Sequence, residues 1–232
     1  MEDIRINFIG DSFVNGTGDS EFLGWPGRVC AASKTEGVGI TCYNLGIRAD
    51  TSTDVLNRWE QEVDARRLKP HDARVVFGFG ANDCWIEEGK TRVERADTIS
   101  NTNAILSRAA SLYPTLMIGP PPALDDAGDA LRQEMSALLE DISVRAGVPY
   151  LPVIDALREG HIWKEEQKQG DAVHPSAGGY AALAKLVLAW PQWWFHPDAQ
   201  NDEWHRGNYD HIRTDHSHRT FRQRSDSHDR RA

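Results

Sequence analysis

Short apolar runs alternate along the chain with longer segments whose apolar residues recur every three or four positions. Ile4-Arg5-Ile6-Asn7-Phe8-Ile9 reads as a first strand closing at Gly10. Pro26 suits a first helical turn and predicts a helix from Trp25 to Ser33. Ile40 to Leu45 is a second strand, stopped by Gly46. Thr51-Ser52-Thr53-Asp54 offers capping oxygens for a helix whose Val55, Trp59 and Val63 recur at spacing four. Arg74-Val75-Val76-Phe77-Gly78-Phe79 is a third strand, apolar enough to be buried on both faces of a parallel sheet.

The second half repeats the alternation. A helix is predicted over 91–112, a strand at Leu116-Met117-Ile118, a helix over 126–146, a strand from Tyr150 to Ile154, and a last helix over 177–190 broken by Pro191. Five strands separated by crossover-length helices predict an α/β fold, a doubly wound sandwich around a five-stranded parallel sheet. The pattern fails after Pro197. From Asp198 to Ala232 there are seven acidic and seven basic residues, five histidines and almost no aliphatic side chain. That composition builds no core, so the expectation is one domain over 1–197 and a polar tail over 198–232, disordered or strapped to the surface.

Composition adjusts this picture only slightly. The chain has 232 residues, 40% hydrophobic and 26% charged, enough for a full core without staples. Three cysteines, Cys30, Cys42 and Cys84, do not make a disulfide framework. Twenty-six basic residues stand against 35 acidic ones, a net charge of -9, which argues against a nucleic-acid partner. No apolar run approaches the roughly 20 residues of a membrane span. A strand pattern begins at once after Met1-Glu2-Asp3, without a signal-peptide pattern, so a cytoplasmic protein is expected.

Ligands of an open parallel sheet bind beyond the carboxyl ends of its strands. The residues predicted there are Gly10-Asp11-Ser12, Asn44-Leu45-Gly46, Gly80-Ala81-Asn82-Asp83 and, before the last helix, Asp171-Ala172-Val173-His174-Pro175. These are the residue types of nucleophilic hydrolysis. A serine needs a base to take its proton, and histidine titrates near neutrality. The base needs a carboxylate to fix its tautomer, and Asp171 stands three residues before His174. A tetrahedral oxyanion needs donors, which the N–H groups of Ser12 and Gly46 and the Asn82 amide can supply. Glycine at 46 would let the backbone come close to substrate.

Each residue alone has a plainer reading: Ser12 a helix cap, His174 a surface group, Asn82 a turn residue. Asp11 and Asp83 are expected to organise loops, although Asp83 could tune the imidazole. Phe13, Trp85 and Pro122, with Trp25, are the candidate pocket residues, Trp85 being equally readable as a core anchor. Trp190-Pro191-Gln192-Trp193-Trp194-Phe195 predicts packing against the sheet edge, or else a contact in a homo-oligomer or a lip over the site. The tail histidines, His205, His211, His216, His218 and His228, lack the spacing of a structural metal site, so no metal is expected.

Together the four segments resemble the SGNH hydrolases, the GDSL lipase/esterase family. That family carries a GDS serine, a glycine, a GxND asparagine and a DxxH pair in this order, matched here by Ser12, Gly46, Asn82, and Asp171 with His174 over about residues 4–190. The resemblance implies a flavodoxin-like three-layer α/β/α sandwich and a cofactor-independent Ser-His-Asp esterase, with Ser12, Gly46 and Asn82 around the oxyanion. Phe13 replaces the family's leucine, and the tail has no counterpart. The expected substrate is a small-molecule ester of short or medium acyl chain. The rivals are an acyltransferase or a carbohydrate or thioester deacylase with the same triad, and a non-catalytic α/β binding module. A phosphate-binding reading of Gly16-Thr17-Gly18 is opposed by Asp11 and Asp19.

Overall fold

The computed structural model describes residues 2–35, 37–67 and 72–197. In chain order the elements are β1 (Glu2–Gly10), α1 (Ser12–Asn15), α2 (Gly24–Ala32), β2 (Val38–Gly46), α3 (Ser52–Arg66), β3 (Asp72–Gly78), β4 (Ile86–Glu87), β5 (Lys90–Thr91), α4 (Arg95–Ala110), β6 (Thr115–Ile118), α5 (Asp126–Arg145), β7 (Tyr150–Leu151), α6 (Ile154–Glu159), α7 (Ile162–Gln169) and α8 (Ala177–Leu188). β1, β2, β3, β6 and β7 form one parallel sheet in the order β2-β1-β3-β6-β7. This is the doubly wound order in which the chain reverses direction across β1 and β3.

Alternation along the strands divides the core into two layers. Ile4, Ile6 and Phe8 of β1, with Val76 of β3, face α2, α6, α7 and α8. Ile9, Val75 and Phe77 point the other way, to α3, α4 and α5. The stripe expected of α3 is the one that meets the sheet. In α3, Val55, Trp59 and Val63 are buried. Burying such side chains contributes about 2 kcal/mol each, so this stripe, rather than the exposed Glu60–Arg108 pair to α4, holds α3 in place.

Three stretches show the clearest departures from the sequence pattern. The fifth strand, expected to run to Ile154, pairs only through Tyr150 and Leu151. Pro152 has no N–H to continue a ladder, and the chain turns into α6 instead. The helix expected from 91 begins at Arg95, because β4 and β5 form a hairpin ahead of it. Glu88 and Gly89 both have positive φ, 51° and 80°, the two-residue turn that matches strand twist. The third, α7, buries only Trp163 and Gln167 of its eight residues, too sparse a stripe for periodicity to reveal.

The Trp190–Phe195 cluster packs into the α2/α8 layer. Trp193 is fully buried and donates its indole N–H to Ser33 Oγ at 2.9 Å. Arg74, near the amino end of β3, lies over Trp194 at 5.1 Å. The cluster therefore stands at the end of the sheet opposite the candidate site, and the reading as a lip over that site is overturned. The expected polar tail over 198–232 lies outside the described residues. Among the described residues no helix is long and apolar enough to cross a membrane.

Candidate active site

Three strands end in glycine at the same level: Gly10 pairs with Gly46 on one side and Gly78 on the other. This row clears a floor for α1. A methyl on Gly46 would stand 2.1 Å from Asn15 N, one on Gly10 1.9 Å from Gly78 O, and one on Gly78 2.9 Å from Val14 Cγ2. The short helix can therefore lie directly on the sheet edge. Asn44 fastens it there, donating to Val14 O at 2.9 Å. At the helix's start, Asp11 accepts the Phe13 N–H at 2.9 Å. Ser12 is thus set at the first helical position, where an N–H has no partner inside the helix.

Across 162 residues of sequence, His174 Nε2 lies 2.8 Å from Ser12 Oγ, and His174 Nδ1 lies 2.7 Å from Asp171 Oδ2. Ser12 and His174 are buried at 5% and 7% exposure, whereas the Asp171 side chain is 49% exposed. Asp171 Oδ1 also accepts the N–H groups of Val173 at 2.9 Å and His174 at 2.7 Å. Burial alone would raise the Asp171 carboxyl, but the imidazole and these two N–H groups outweigh it and hold the group at about 2. Closing the turn from carboxylate to imidazole in three residues places Ala172 at φ 65°, a conformation costly for a residue with a Cβ.

Elements not foreseen in the sequence hold this turn. Gln167, buried at the end of α7, donates through Nε2 to Val173 O at 2.7 Å and Pro122 O at 3.3 Å. Its backbone carbonyl accepts the Ala172 N–H. Glu166 accepts the N–H groups of Ser176, Gly178 and Gly179, capping α8 just after His174. The only trace in the sequence is a pair of polar residues inside a charged helix. Nothing in it ties them to the histidine turn.

The remaining predicted residues are placed as follows. Asn82 donates to Asp50 O at 2.9 Å, and its amide nitrogen is 3.5 Å from Asp11 Oδ2, leaving one proton weakly held. The Gly46 N–H is donated to Asn44 Oδ1 at 3.1 Å, and the space beside Gly46 is filled by Asn15 and Asp11. The close approach that glycine permits at 46 is that of α1. In the same loop, exposed Ala49 has φ 67° and precedes Asp50, whose carbonyl holds Asn82. Asp83 is fully buried but turned from the imidazole, accepting Ser52 N–H at 2.7 Å and the Thr98 hydroxyl at 2.9 Å. Burial pushes the Asp11 carboxyl up to about 7 against the opposing Phe13 N–H and Arg132 charge.

Of the pocket candidates, Trp85 is half-exposed and lines a cavity of about 270 Å³ with Cys84, Ile86, Ala123, Leu131 and Arg132. Phe13 packs beside His174, its ring 5.1 Å from the imidazole. Pro122 is buried, contributing only its carbonyl. Trp25 is buried against Phe8. The Gly16-Thr17-Gly18 turn is not arranged for phosphate: the Asp19 carboxylate already takes the N–H groups of Glu21, Leu23 and Gly24 and pairs with Arg28. Among the described residues no group of three His, Cys, Asp or Glu side chains is placed to hold a metal ion.

The model of the GDSL-like Lipase/Acylhydrolase family matches residues 8–182. The curated proteins contain no match. Among solved structures, a lipase/acylhydrolase from Enterococcus faecalis superposes with TM-score 0.64 at 26% identity, over 83% of this chain and 96% of that one. A catalytic mutant of an acetylxylan esterase from Geobacillus stearothermophilus gives TM-score 0.66 at 20% identity, over 81% and 92%. An alpha/beta hydrolase enzyme from the metagenome of Lake Arreo, Spain, gives 0.65 at 18%, over 85% and 96%.

Proposed function

We propose, from the premise that the chain belongs to the GDSL-like lipase/acylhydrolase family and is a carboxylic ester hydrolase, that Ser12, His174 and Asp171 cleave short- to medium-chain esters through an acyl-enzyme. The observation that supports this is the unbroken series of hydroxyl, imidazole and carboxylate, joined at 2.8 and 2.7 Å. Ser12 Oγ attacks the ester carbonyl while His174 Nε2 takes its proton. Asp171, ionised well below neutrality, keeps the other ring proton on Nδ1 and steadies the imidazolium. The oxyanion is received by the Ser12 N–H and by the Asn82 amide, one of whose protons is held only at 3.5 Å. Gly46 contributes by seating α1, its own N–H being engaged by Asn44. His174 then protonates the departing alcohol, and a water activated by the same imidazole releases the acid.

The direct test is a fluorophosphonate probe followed by peptide mapping. A single adduct on Ser12, with loss of 4-nitrophenyl butyrate turnover in step with labelling, is the expected result. Undiminished turnover after full labelling would refute the reading. A competing alcohol in the assay separates hydrolysis from acyl transfer, because a transferase yields new ester in excess of free acid.

Gln167→Leu tests the support of the histidine turn. The substitution keeps bulk but frees Val173 O, and a misplaced imidazole weakens the transition state more than substrate binding. We expect kcat to fall about tenfold, equivalent to about 1.4 kcal/mol, with KM within twofold. Steady-state kinetics would contradict this by showing a raised KM at unchanged kcat.

A further inference from the structure

Arg132, on α5, is a buried charged group that the proposed mechanism does not use. It is only 4% exposed. A guanidinium that deep is costly unless paired, and burial works against its charge. Yet among the described residues no carboxylate lies within ion-pair distance of it. The nearby acids are committed elsewhere. Asp129 accepts Lys164, Arg158 and the Ala123 N–H. Asp125 accepts the Gly128 N–H, and Asp11 the Phe13 N–H.

The guanidinium is nevertheless held in a fixed orientation. Nη1 donates to Pro121 O and Pro122 O, each at 3.0 Å, and the group lies over the Phe13 ring at 5.2 Å. Among the described residues Nε and Nη2 have no partner. That pair forms the straight edge of the guanidinium, whose two parallel N–H groups match the two oxygens of a carboxylate. Arg132 is also part of the wall of the 270 Å³ cavity, where Trp85, Ile86, Ala123 and Leu131 supply apolar groups and the one carboxylate, that of Asp125, is engaged by the Gly128 N–H. One ring separates this cation from the triad, since Phe13 touches the guanidinium on one hand and packs 5.1 Å from the His174 imidazole on the other.

Resting on the esterase reading above, we infer that the cavity selects esters that carry a free carboxylate a few carbons from the scissile carbonyl, bound side-on by Nε and Nη2 of Arg132. The half-esters of small dicarboxylic acids have this chemistry in the acyl half, and esters of small hydroxy acids have it in the alcohol half. Simple alkyl esters fill the apolar wall but leave the cation unpaired.

The test compares matched substrates on the full chain by pH-stat. Monoethyl glutarate is set against ethyl pentanoate for the acyl half, and carboxymethyl butyrate against propyl butyrate for the alcohol half. In one of the two pairs the charged ester should be preferred at least tenfold in kcat/KM, which also tells which half enters the cavity. In R132Q that ratio should fall by tenfold or more, and because it is internal to each sample, a reduced folded fraction does not move it. Glutarate alone should raise the melting midpoint of the wild-type protein, and of R132Q much less. Equal or better turnover of the neutral ester in both pairs, or no stabilisation by glutarate, overturns the inference. Stabilisation by glutarate without turnover of any ester would leave the carboxylate site standing and remove the esterase reading instead.

Discussion

Ser12→Ala should lower kcat for 4-nitrophenyl butyrate by a factor on the order of 10⁴ to 10⁶, leaving the residual rate that oxyanion donors and binding alone support. The loss should fall on chemistry and not on folding. Among the described residues Ser12 Oγ has a single partner, His174 Nε2, and the start of α1 is capped by Asp11 rather than by the serine. Alanine is the best helix former, so the turn keeps its shape. What remains is a buried imidazole nitrogen without a partner, worth a small drop in melting temperature. Paired measurements of kcat and the thermal midpoint check this. Turnover within tenfold of the wild type would mean that another group is the nucleophile.

The legibility of this protein in its sequence followed the strength of each physical signal. β1, β3 and the α3 stripe of Val55, Trp59 and Val63 are long and strongly patterned, and they lie where the pattern predicts. Ser12 stands at the sheet edge because parallel strands deliver their carboxyl ends there, a rule that needs no coordinates, and Asp171 and His174 reach the same edge from the turn between α7 and α8. Other parts depended on partners distant in the chain. The glycines that end β1, β2 and β3 read individually as strand stops, and only the register makes them a continuous floor for α1. For that reason the sequence points Gly46 at substrate, whereas the space beside its Cα is filled by Asn15 and Asp11. Gln167 and Glu166 have no local signature, since their meaning lies in which carbonyl and N–H groups they reach. The buried Arg132 was hidden for the same reason: on a charged helix, sequence does not tell a solvated arginine from one turned under a loop.

Asp171→Asn separates two parts of the carboxylate's work. One is architectural: Oδ1 accepts two N–H groups of the turn, and an asparagine oxygen can do the same. The other is electrostatic and tautomeric, and the amide cannot supply it. Facing Nδ1 with an N–H donor stabilises the ring form protonated on Nε2, which points a proton at Ser12 Oγ and leaves no base. The expected loss in kcat is about 10² to 10⁴, the lower part of the range being admitted because the Asp171 side chain is 49% exposed and water can reach it. Stability should carry a separate mark. The folded carboxyl sits at about 2, below its ordinary 3.8, so the native state favours the ionised form. The stabilisation is fully present above about pH 4 and is lost as pH falls through about 2. The melting-temperature gap between wild type and Asp171→Asn should therefore be level from pH 8 to about 5 and close between pH 4 and 2. A gap unchanged at pH 2 would mean that the ionised carboxylate contributes nothing to holding the turn. Wild-type kcat in the variant would remove Asp171 from the mechanism altogether.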